Sequence, residues 1–243
     1  MKNVWVIASR EFRQYFISPL AYAIAASVYL ILGGIFFINI YFGMQSNGVS
    51  PDGRMVVGPL VTVLVFATPA LTMRLLADEQ RMGTLELLLT APVRDWEVVV
   101  GKWLGSFGFL VALILVTWIY PIILNGMTDP GIDQGILVSV YLGLLLLAGA
   151  MLAIGVLISG LFENPLAAFF VTLATLLVLW ILGGLASSGG LMGQVAGYLN
   201  LVDHFFNNLY QGVISLADVV YYLTLIILAL FLGSQVLQTR RWR

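Results

Sequence analysis

Polar residues along this chain come in clusters, and the intervals between the clusters are almost wholly apolar. No Asp, Glu, Lys or Arg occurs between Arg13 and Asp52, nor within 55–73, 103–128, 134–162, 164–202 or 219–239. A helix needs roughly 20 mostly apolar residues to cross a bilayer, and each interval is close to or beyond that length. Strands of a membrane barrel would be about 10 residues long with alternating character, which these runs are not. The pattern predicts an all-α integral membrane protein in one domain over 1–243. Its six transmembrane helices fall at 20–43, 57–77, 103–125, 135–160, 165–185 and 216–238. Pro19, Pro59, Pro130 and Pro165 lie near helix starts or in loops, where a missing N–H costs least. Pro69 and Pro121 lie inside spans and predict kinks.

Two segments outside the spans carry a helical pattern of their own. In "KNVWVIASREFRQYFIS" (2–18), Trp5, Ala8, Phe12, Tyr15 and Phe16 share one face. Lys2, Arg10, Arg13 and Gln14 fall on the other. This predicts an amphipathic helix lying flat at the interface, anchored by its aromatic residues, with Arg10 and Arg13 near lipid headgroups. The loop 186–215 is longer than a simple connector and is expected to hold short helices. Within it, Leu201, Phe205 and Leu209 recur at helical spacing, which predicts a segment dipping into the outer leaflet. His204, the only histidine, sits beside phenylalanines and reads as a packing residue.

The stretch "DEQRMGTLELLLTAPVRDWEVVVGK" (78–102) is the exception to the oily pattern. It gathers eight of the 23 charged residues around a leucine run closed by a proline. Gly83 can end an extension of the second span, and Thr84 can N-cap a new short helix. Glu86 then falls in the first turn, where the helix dipole favours an acid. Pro92 ends the run, and Asp95 is the expected N-cap of the next helix. Leu85, Leu87, Leu88 and Leu89 offer more apolar surface than a lone exposed helix should show water. An apolar centre with a charged rim suits docking to a soluble partner. Packing of the same leucines on the protein's own span ends fits the pattern equally well.

Composition agrees with the membrane reading: 60% of residues are hydrophobic, 9% are charged, and mean hydropathy is +1.01. Six spans place both termini on one side, which then holds 10 of the 11 basic residues, Arg54 being opposite. Lys and Arg bias sets orientation, so both termini are expected in the cytoplasm. Arg10, Glu11 and Arg13 stand where the apolar core of a cleavable signal would be. With no cysteine, thiolate metal sites, nucleophiles and disulfides are excluded. Neither H-E-x-x-H nor G-x-S-x-G occurs, so the parts for hydrolytic chemistry are lacking. No phosphate-binding G-x-x-x-x-G-K-[ST] occurs either, and the only lysines are Lys2 and Lys102.

The run from Glu79 through "RMGTLELLLTAPV" to "VVVGKWLG" resembles the E-x-x-x-G-T-x-E-x-L-L-x-x-P-x-x-x-x-x-x-x-G-K signature of ABC-2 type exporter permeases. "ASREFRQYFISPLAY" (8–22), "PALTMRLLADEQRMGTLELLL" (69–89) and "HFFNNLYQGVISLADVVYY" (204–222) extend the resemblance over nearly all of the chain. Together they resemble most the permease subunit associated with gliding motility, and are similar to the permease of nitrous-oxide-reductase maturation.

The resemblance implies that Glu79, Arg81, Gly83, Thr84, Glu86, Leu87, Leu88 and Pro92 belong to a cytoplasmic coupling loop, with a short coupling helix seated in a groove of a separate ATPase. It implies that 2–18 is the connecting helix beside it, including Trp5, Arg10, Phe12, Arg13 and Phe16. Glu163 and Asn164 match a second, shorter cytoplasmic contact. Spans two and five line the dimer seam and conduit in such proteins, which makes Thr62, Thr68, Thr72, Thr172 and Thr175 candidates for the translocation path. The implied assembly has two cytoplasmic ATPase subunits, a second permease copy or paralogue, and an extracytoplasmic accessory subunit, set in the inner-membrane bilayer without nucleic acid. The chain itself would carry no cofactor and no enzymatic activity; ATP and Mg would be bound by the partner, and transport would be export.

Other functions fit less well. An ion-coupled secondary transporter needs ionisable or unwound polar groups near mid-membrane, and here every charge lies near a span end. A channel or scaffold would leave the 78–102 stretch unexplained. Gly101 and Gly105, like Gly149, Ala153 and Gly155, read as small-residue seams for close helix packing.

Overall fold

A chain this apolar satisfies its backbone polar groups internally, and across the described residues it does so as helices joined by short turns. The computed structural model describes residues 2–45, 52–83, 93–128, 131–186 and 189–241. The helices are α1 (Lys2–Tyr15), α2 (Pro19–Gln45), α3 (Val57–Thr72), α4 (Ala77–Arg81), α5 (Asp95–Val116) and α6 (Ile119–Met127). They continue with α7 (Gln134–Leu161), α8 (Pro165–Ala186), α9 (Gly190–Leu199), α10 (Asp203–Asn207) and α11 (Leu216–Arg241), with a 3-10 turn at Leu209–Gln211. Six stretches are long and apolar enough to cross a membrane: α2, α3 with α4, α5 with α6, α7, α8 and α11. They alternate in direction, so α1, α4 and the end of α11 share one end of the bundle, called here the terminal end.

Both internal prolines interrupt their helices. α3 stops three residues beyond Pro69, and a turn over Met73–Leu76 precedes α4. Ser159 of α7 repairs the gap: its hydroxyl accepts from the Leu76 and Ala77 N–H groups at 3.1 and 3.2 Å. The same hydroxyl donates to the Met73 carbonyl at 3.3 Å. A neighbouring serine thus supplies what the broken helix lost, as the low dielectric demands. Before Pro121 the chain breaks at Thr117 and Trp118, and the buried Thr117 hydroxyl bonds the Ile114 carbonyl at 2.6 Å.

The third span begins earlier than its apolar run. The apolar span runs from residue 103, and its helix starts at Asp95, with Arg94 rather than the expected Asp95 as N-cap. The reason is local: the Glu97 carboxylate reaches back to accept the Arg94 N–H at 3.0 Å. That extra length carries Lys102 inside the helix.

α7 is the central post. In its most apolar window 78% of residues are buried, against 17% for α2 and for α8, so those two lie on the outside. The small residues expected to make seams do so: Ala153 is buried, Thr72 packs on Gly155, and Trp103 donates its indole N–H to the Gly149 carbonyl at 3.0 Å.

At the far end, α9, α10 and the 3-10 turn close the loop. Leu201, Phe205 and Leu209 are all buried in the protein core, so this stripe packs on the other helices. Its shape matches a protein surface: Leu209 fits over Gly143 of α7, where a β-carbon would lie 2.7 Å away. His204 does pack, stacked on Tyr221 with ring centroids 4.0 Å apart. It also has two polar partners, the Asp218 carboxylate at 2.7 Å and the Tyr198 carbonyl at 3.1 Å. Arg54 clasps Asp52 at 2.6 Å and donates to the Tyr210 carbonyl at 3.0 Å. Partial burial pushes the Asp52 carboxyl up, but the hydrogen bonds from Arg54 outweigh it and hold it below its ordinary value.

Candidate functional site

Gly101, Gly105 and Gly108 stand at intervals of four and three residues, which leaves one face of α5 without side chains. α1 lies in that groove. A β-carbon on Gly101 would lie 2.8 Å from the Ile7 Cβ, and one on Gly105 would lie 2.8 Å from the Ala8 carbonyl oxygen. Phe12 covers Gly108 at 3.1 Å from the same construction. Tyr15 then stacks on Phe109, its hydroxyl donating to the Leu71 carbonyl at 2.8 Å and lying 3.0 Å from the Ser106 hydroxyl. Burial lifts that phenol well above its ordinary range.

The expected lipid-facing stripe of α1 is therefore divided. Ala8, Phe12 and Tyr15 turn to the protein, while Trp5 stays 74% and Phe16 44% exposed. Arg10 and Arg13 remain at the surface. The buried face includes Glu11, which the sequence reading had not placed there. A signal was present, since Val4, Ala8, Glu11 and Tyr15 fall at helical spacing on one face.

A buried carboxylate must have a partner. The Lys102 ammonium lies 3.0 Å from Glu11 and 2.8 Å from Glu79, and its side chain is 2% exposed. Arg10 joins from the surface, 3.1 Å from Glu11 and 3.4 Å from Glu79. One cation thus ties α1, α4 and α5 together. Nearby, Asn3 donates to the Glu97 carboxylate at 3.1 Å, a second stitch between α1 and α5. Between α1, the start of α2 and the α3–α4 turn lies a cavity of about 920 Å³, with Arg10, Gln14, Arg74 and Asp78 on its wall.

The rest of the predicted coupling loop is placed in part. Arg81 ends α4 and is exposed, and Gly83 follows in the left-handed region at φ 68°, as a helix-terminating glycine requires. Thr84, Glu86, Leu87, Leu88 and Pro92 lie outside the described residues. Glu163 and Asn164 occupy the turn between α7 and α8 at the same terminal end. Asn164 accepts the Leu166 N–H at 2.9 Å, and exposed Glu163 meets Arg240 of α11 at 3.3 Å.

The candidate path threonines differ in their surroundings. Thr62 is exposed on α3, whereas Thr68, Thr72 and Thr172 are fully buried. Thr68, Thr72, Thr172 and Thr175 each bond the carbonyl four residues earlier, at 2.6 to 2.9 Å. That is the usual habit of hydroxyls in apolar helices. Among the described residues, no group of three His, Asp or Glu side chains is placed to hold a metal.

Among curated proteins none matches the chain. The family model for "ABC-2 family transporter protein" matches residues 5–238, from α1 to the last turns of α11. With six apolar spans and that coverage, the chain belongs to the ABC-2 family and is a multi-pass membrane permease of the ABC transporter class.

Proposed function

We propose that this chain is the membrane half of an exporter driven by a separate cytoplasmic ATPase, which docks on the terminal end through the segment 84–91. The observation that carries this reading is the joining of three elements, α1, α4 and α5, at Lys102. α4 and α5 are the two stems of the leucine-rich segment, and a fixed pair of stems is what a loop loaded by a partner requires. Glu163 and Asn164, at the same end, form the smaller contact.

Both termini are cytoplasmic in this reading, following the basic bias of that end. A second permease copy or paralogue meets spans two and five, α3 and α8, of which α8 is one of the two spans that a single chain buries least. The quoted resemblance over 8–22, 69–89 and 204–222 supports the gliding-motility type, with the maturation permease of nitrous-oxide reductase as a related type.

The test is purification of a tagged permease from its own cells in mild detergent. The expected result is stoichiometric recovery of a soluble ATPase carrying a phosphate-binding loop, with Mg-dependent ATP hydrolysis. A permease recovered without any ATPase, from cells in which it is active, overturns the proposal.

A further inference from the structure

Lys102 is buried where few lysines are found, and its burial is matched by two carboxylates that come from different elements. Glu11 arrives on α1 and Glu79 on α4, while Lys102 itself is on α5. Apolar side chains would hold three helix ends together at least as well, because desolvating charges is expensive. What an ion triad adds is a fixed register: each carboxylate oxygen has one place to sit, and a slide of either helix breaks a short charge-assisted bond.

We infer that Lys102 is a positioning residue for energy transfer, locking α1 to both stems of the 84–91 segment so that the three move as one body. This rests on the docking reading above. Force applied between Gly83 and Val93 enters α4 and α5, and the triad passes it to α1. From α1 it reaches the first span through the short link Phe16–Ser18, where the Tyr22 hydroxyl bonds the Phe16 carbonyl at 2.8 Å. α2 is among the least buried of the spans, so it is free to respond. Without the triad, α1 would remain seated on the glycine groove but could slide along it.

The experiment uses the tagged permease with its co-purified ATPase, and neutralises one arm at a time. Glu11→Gln releases α1 and Glu79→Gln releases α4, while each leaves Lys102 with one carboxylate and therefore a paired charge. Both variants should melt within about 4 °C of the wild type and retain the ATPase. Both should nonetheless lose permease-stimulated hydrolysis by roughly 5- to 150-fold, the usual span of coupling between two sites. The triple variant Lys102→Met, Glu11→Gln, Glu79→Gln replaces the whole triad with neutral groups and should behave alike. Arg10→Gln, at the exposed edge, should change neither stability nor hydrolysis by more than about twofold.

If either single variant, or the triple one, keeps wild-type stimulation, the triad is packing only and the inference fails. Should a single variant melt early, the triple variant still decides, because it carries no unpaired buried charge. A wild-type permease that brings down no ATPase defeats the docking proposal first, at a step where no variant is involved.

Discussion

A β-carbon added to Gly105 would lie 2.8 Å from the carbonyl oxygen of Ala8, so α1 and α5 meet backbone to backbone. Backbone cannot move aside as a flexible side chain can. Gly105→Ala should therefore destabilise the permease by about 1–3 kcal/mol, the usual cost of overpacking. Gly34→Ala is the control, because nothing lies within 4 Å of a β-carbon there. Differential melting of the two variants in detergent checks this. Equal melting would mean that α1 is not held in the groove.

Leu88→Asp tests the docking segment itself. On the coupling-helix reading it abolishes co-purification of the ATPase, since an unpaired charge at an interface core costs several kcal/mol. The permease alone should melt normally. If instead the permease loses stability yet still binds its ATPase, the leucines pack on the protein's own span ends.

Orientation is read by thiol labelling in this cysteine-free chain. A cysteine at Gln194, exposed on α9, should react with an impermeant reagent in intact cells. One at Thr239, exposed near the end of α11, should react only after lysis. The reverse result inverts the topology.

The two ends of α11 should differ sharply in sensitivity. Asp218, 2% exposed, accepts from Asn208 and pairs with His204, so Asp218→Ala strands two partners. Each stranded group costs about 1–3 kcal/mol, which a melting curve resolves easily. Glu163→Ala removes only the exposed pair with Arg240 and should cost under about 1 kcal/mol.

Span number and order were legible in the sequence because charge-free intervals mark them directly. Which span lies inside was not. The best windows of α7 and α2 have mean hydropathies of 2.5 and 2.2, although one is 78% and the other 17% buried. Lipid and protein interior are both apolar, so composition does not separate them. Gly83 and the seam residues were readable because backbone geometry dictates their type. Lys102 was read as one more basic residue at a span end. Its role depends on Glu11, 91 residues away, and no local pattern joins two such positions. The inward packing of Leu201, Phe205 and Leu209 was not legible for a related reason: an apolar stripe suits a leaflet and a protein core equally.

The seat of α1 also sets an order of events during synthesis. Its groove is made of residues 101–108, and the cation for Glu11 is Lys102. At about 5–20 residues per second, on the order of ten seconds separate the emergence of Glu11 from that of Lys102. During that interval the nascent chain presents Phe12, Tyr15 and a carboxylate still without its buried lysine at the membrane surface, with α2 already being threaded behind them. α1 is thus made first and fastened late, only when the third span arrives to receive it.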